Sequence, residues 1–84
     1  MKEGRYVKNR LRIVAFPDNN GEVRNLWLFR GPHFLRGLGG AIPDGLNVHD
    51  ESLGRFLNSA VAREGLVAIP ILGVLNEFDL QPVV

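Results

Sequence analysis

Cysteine is absent from this 84-residue chain. Its absence excludes a disulfide scaffold, a thiolate zinc site and a cysteine nucleophile. Small secreted domains usually depend on disulfides, so the expected location is cytoplasmic. No apolar run approaches the roughly 18 residues of a membrane span, and no membrane contact is expected. The opening Met1-Lys2-Glu3-Gly4-Arg5 leads into alternating charged and apolar residues. It does not read as the apolar core of a signal peptide.

Groups that carry chemistry are equally sparse. The two histidines, His33 and His49, lack the i, i+4 spacing of a helical metal pair. His49-Asp50-Glu51 gathers three possible ligands at a helix start, but helix capping accounts for its acids, and no metal is expected. Ser52 and Ser59 fall within a helical segment and read as helix-surface serines rather than nucleophiles. Glu77 and Asp79 stand at a turn-like stretch, which does not favour paired-carboxylate catalysis. Gly37-Leu38-Gly39-Gly40 follows Arg36, but the lysine and hydroxyl of a phosphate-binding loop are missing, so it reads as a structural loop. The expectation is a protein without enzymatic activity or cofactor.

What is present is an ordinary globular composition, 45% hydrophobic and 23% charged, consistent with one folded domain spanning residues 1–84. A chain of this size buries only about 60% of its unfolded surface. With no covalent staples, self-association is the common remedy. Charge is unevenly spread. Residues up to Arg36 carry a formal +5, whereas those from Gly37 onward carry −4. The halves can attract each other within the fold or between protomers, or leave a basic face for an anionic partner.

Residues Tyr6 to Phe16 alternate as a strand, with Val7, Leu11, Ile13 and Ala15 on one face and Tyr6, Lys8, Arg10, Arg12, Val14 and Phe16 on the other. Pro17-Asp18-Asn19-Asn20-Gly21 is a turn cluster, and Glu22 to Phe29 reads as the returning strand of a hairpin. That second strand is apolar on both faces, Leu26 and Leu28 against Trp27 and Phe29. Such strands are usually covered on both sides, so a second protomer or the C-terminal segment is expected over one of them. Residues His33 to Gly45 read as turns and loop, with a short helical turn near Phe34 to Leu38.

One amphipathic helix is predicted from Asp50 to Glu64, with Leu53, Phe56, Leu57, Ala60 and Val61 in one stripe. Asp50 or Asn47 suits its start, and Gly65 its left-handed end. Leu66 to Leu75 reads as a strand that Pro70 restricts to a sheet edge, a bulge or two short pieces. Phe78 to Val84 forms a short closing segment. The fold class is therefore α+β: a small antiparallel sheet built on an N-terminal β-hairpin, with one packed helix.

For binding, Arg10, Arg12, Arg24, Arg30 and Arg36 are interleaved with Tyr6, Trp27, Phe29 and Phe34. A basic strand surface with aromatics neutralises phosphates and stacks unpaired bases. The candidate nucleic-acid or anion site is accordingly Arg10, Arg12, Arg24, Trp27, Arg30 and Arg36. Against it stand a core role for the aromatics and a sequence pI of about 8.3, below the usual electrostatic footprint.

Two resemblances bear on this. Arg30-Gly31-Pro32-His33-Phe34-Leu35-Arg36-Gly37-Leu38 after a hairpin, with Asn76-Glu77-Phe78-Asp79-Leu80-Gln81-Pro82 near the end, resembles a family of small, functionally uncharacterised bacterial domains. Some members of that family are linked to toxin–antitoxin-like gene pairs. The family's closing pattern has a tryptophan before the asparagine and a glycine after it; here Glu77 follows and no tryptophan precedes. Separately, Leu28-Phe29-Arg30-Gly31 resembles the second motif of the Sm-like RNA-binding family. Gly73-Val74-Leu75-Asn76-Glu77-Phe78-Asp79 is similar to its first. The order is reversed, so the resemblance implies circular permutation, with Asp79 near a uridine pocket, Arg30-Gly31 closing it, and a ring of subunits.

The functional expectation is a small non-catalytic interaction module of accessory or regulatory type, a homo-oligomer with a possible protein partner. The alternative is an RNA-binding protein that uses the hairpin arginines and aromatics.

Overall fold

A computed structural model describes residues 10–83. Strand β1 (Leu11–Pro17) turns into β2 (Val23–Arg30), which turns again into β3 (His33–Gly37). A 3-10 turn at Gly39–Ala41 and an irregular stretch lead to helix α1 (Ser52–Val61), extended by a 3-10 turn at Ala62–Glu64. Strands β4 (Leu66–Pro70) and β5 (Glu77–Pro82) complete one antiparallel sheet of order β3-β2-β1-β5-β4. Among the described residues no helix is long and apolar enough to cross a membrane.

The first hairpin forms where the turn residues place it. Asp18 Oδ1 accepts hydrogen bonds from the backbone N–H groups of Asn20 (2.8 Å) and Glu22 (3.0 Å), and Gly21 takes φ +82°. Asp18 is held below its ordinary pKa of 3.8, first by the Asn20 N–H; desolvation opposes this, and the Glu22 N–H and Arg24 add to the lowering. The predicted first-strand residues before Arg10, among them Tyr6, Val7 and Lys8, lie outside the described residues.

One reading of the sequence needs correction. The segment His33–Gly37 is a strand rather than loop or helical turn. Gly31 at φ +55° and Pro32 make a tight turn, so Arg30 pairs with His33 and Phe29 with Phe34. Phe34 then packs against Phe29 and Trp27, a contact that overrides the local glycine signal. The stretch before the helix adds to the core. Leu46 and Val48 are buried in the core, because Leu46 C=O accepts from Val23 N–H and Val48 N–H donates to Gly21 C=O.

At the helix start, Asp50 accepts from both the hydroxyl and the backbone N–H of Ser52. These two bonds, the hydroxyl first, lower its pKa below 3.8. Gly65 closes the far end at φ +71°, the left-handed position that its residue type favours. Helix stripe residues Leu53, Leu57 and Val61 are buried against Ile13, Ala15, Leu26, Ala68, Phe78 and Leu80 of the sheet. The helix lies closest to β4. Strand β4 ends at Pro70 on the sheet edge, as the missing N–H of proline requires.

Candidate interaction surface

Residues opposed across antiparallel strands share a face, so the pairing register assigns every side. Leu11, Ile13 and Ala15 of β1, Leu26 and Leu28 of β2, and Phe78 and Leu80 of β5 lie on the helix side. The opposite, outer face carries two transverse rows. One runs Phe34, Phe29, Arg12, Asp79, Ile69 from β3 to β4, and the other Gly37, Trp27, Val14, Glu77 from β3 to β5.

The single helix is spent on the inner face. On the outer face Phe16 (37%), Trp27 (37%), Phe34 (52%) and Ile69 (38%) stay exposed. Three of these, Phe16, Trp27 and Phe34, form one aromatic cluster with the half-buried Phe29. Trp27 is central, with ring centroids 4.6 Å from Phe16, 5.0 Å from Phe34 and 6.3 Å from Phe29, and Phe29 meets Phe34 at 5.9 Å. The pairs are tilted or edge-to-face, geometries that the aromatic quadrupole favours. Contiguous exposed apolar surface of this kind, rimmed by polar groups, marks interaction sites.

Beside the aromatics runs a ladder of opposite charges. Arg10 meets Asp79 at 3.2 Å, and Arg12 meets Glu77 at 3.5 Å. Arg12 is 5% exposed overall. Its guanidinium stacks 4.7 Å from the Phe29 ring centroid and donates through Nη2 to the Gly31 carbonyl at 3.4 Å. Burial of a cation is tolerated here because it is met by a carboxylate, a carbonyl and an aromatic face.

The six residues proposed from sequence do not converge. Arg10, Arg12 and Trp27 share the outer face. Arg24 sits at the first turn and pairs with Asp18 at 3.0 Å and Glu22 at 3.4 Å. Arg30 is opposed to Leu11, and Arg36 to Leu28, which puts both on the helix side. Of the alternatives that the uneven charge left open, attraction between the two halves within the fold is present, as Arg10–Asp79 and Arg12–Glu77.

Sequence reading missed Glu77 and Asp79 as parts of this surface, having placed them at a turn. The signal was there: Glu77-Phe78-Asp79-Leu80 alternates polar and apolar residues, the period of a half-buried strand. Among the described residues, no group of three His, Cys, Asp or Glu converges to hold a metal ion. Comparison with protein-family models, curated proteins and solved structures finds no match for this chain.

Proposed function

We propose that this protein is a non-catalytic interaction module that self-associates through the outer face of its sheet. The observation that carries the reading is the exposed cluster of Phe16, Trp27, Phe29 and Phe34 beside a charge ladder neutralised within the chain. Aromatic residues with few unpaired charges are the composition of an interface centre.

Edge-to-edge pairing is the less favourable route. The β2–β3 register shifts between Leu28 and Phe29, which breaks the regular ladder next to the β3 edge. The β4 edge ends in Pro70, and the N–H of Ala68 is already given to Asn58 Oδ1 of the helix at 2.8 Å. Bulges, prolines and covered amides are the usual devices that blunt sheet edges. Face-to-face packing is what remains.

Light scattering across a concentration series tests this. The native chain is expected to give a mass above that of a monomer, and Phe16→Ser with Ile69→Ser, exposed outer-face positions that leave the Trp27–Phe34 contact in place, to give a monomer that retains the native circular dichroism. A native chain monomeric throughout the series would overturn the reading.

A second reading, RNA binding of Sm-like type, is favoured by one convergence. Arg10 donates to Asp79, while its carbonyl accepts from Gly31 N–H at 2.7 Å. The two motif-like segments thus meet around one residue. Nucleic acid that co-purifies and is lost at high salt would support it, and a clean absorbance ratio would remove it.

A further inference from the structure

We propose that the apolar cavity between α1 and the β1–β2–β3 half of the sheet binds a single-chain amphiphile with one anionic head, its apolar body inside and its head on Arg36. The cavity is about 450 Å³, within the range of small-molecule sites. It exists because the helix lies closest to β4, which leaves the β2 side of the inner face beneath the 3-10 turn and its flanking Leu38 and Ile42.

The burial pattern makes the cavity more than a seam. Six hydrophobic residues pack against the core while only half buried: Leu11, Leu28, Leu38, Ile42, Phe56 and Leu66. All six line this cavity. Protein interiors otherwise close to near-crystalline density, so the incomplete burial is concentrated at one place.

Charge selects the ligand. Thirteen of the fifteen lining residues are apolar, and the two charged ones are Arg36 and Glu64. The Arg36 side chain makes no hydrogen bond or ion pair with another described residue, whereas Arg10, Arg12 and Arg24 are each ion-paired. An arginine fork matches a carboxylate or phosphate bidentately. Glu64 opposes a second negative group, which limits the ligand to one anionic head. The site is on the opposite side of the sheet from the aromatic cluster, so it stands or falls independently of self-association.

Decanoate serves as the probe, titrated into the full chain and followed by amide and methyl chemical shifts. Saturable shifts are expected at Leu28, Leu38, Ile42 and Phe56. Arg36→Gln should weaken binding by about tenfold or more, and Ala60→Phe, at an exposed position on the cavity wall, should abolish it. Phe16→Ser, on the outer aromatic cluster but not in contact with β3, should leave it unchanged. Absence of saturable shifts, shifts confined to Trp27 and Phe34, or equal affinity for decanol would each overturn the proposal.

Discussion

Gly21 is constrained from outside its own hairpin. A Cβ placed there would lie 2.5 Å from His49 Cδ2 and 2.8 Å from Asn47 Oδ1, and the backbone already sits at φ +82°. Gly21→Ala is therefore expected to destabilise the fold by about 1–3 kcal/mol, measurable by urea unfolding. The neighbouring Asp18 has a pKa lowered by the hydrogen bonds it accepts. A lowered carboxylate pKa contributes stability above the ordinary value of 3.8, and that stability is lost as pH falls through the lower folded value. In thermal melts from neutral pH to about pH 2.5, the native chain should exceed Asp18→Asn in melting temperature near neutrality. The gap should close below the ordinary carboxylate range. A gap independent of pH would assign the difference to the turn geometry alone.

Among the elements, α1 carries an unused reserve. Gly54 is inside the helix, and a Cβ there would meet only Phe78 Cε2 at 3.9 Å, an ordinary contact. Close packing on the sheet does not demand glycine, so Gly54→Ala should stabilise by about 0.5–1 kcal/mol, read from the urea midpoint. The helix and the first hairpin were legible in the sequence, and the Pro70 strand was narrowed to an edge, a bulge or two short pieces, because each rests on local signals. Those signals are an apolar stripe, a turn cluster and a missing N–H. Strand β3 was not legible, because Phe34 and Leu35 are followed by glycines and the strand is specified by ring contacts with β2. The burial of Leu46 and Val48 was hidden for a similar reason, since the hydrogen bonds that fix them reach back to Gly21 and Val23. Of the candidate surface, strand alternation set Trp27 and Phe29 on one face and Leu26 and Leu28 on the other, and only the packing of the helix over Leu26 decides which face turns outward. The ion pairs that neutralise Arg10 and Arg12 needed the register of β1 against β5.

At the scale of the whole molecule, that register decides how association should respond to salt. The outer face presents rings and internally paired charges. Self-association is expected to persist between about 50 and 500 mM salt, whereas phosphate contacts would weaken steeply over the same range. Sedimentation at both concentrations distinguishes them. The position of β5 has a further consequence, for synthesis rather than binding. Strand β1 is flanked on one side by β2 and on the other by β5, and the pair Arg12–Glu77 joins residues 65 apart in sequence. While the chain is being made, β1, β2 and β3 emerge first, and the flank of β1 that β5 will occupy waits for a strand not yet translated. An open strand flank is a template for another chain, and growing chains on neighbouring ribosomes carry the same one. A ribosome that stalls in the β4–β5 turn would thus hold a sheet open at its centre, not at its rim.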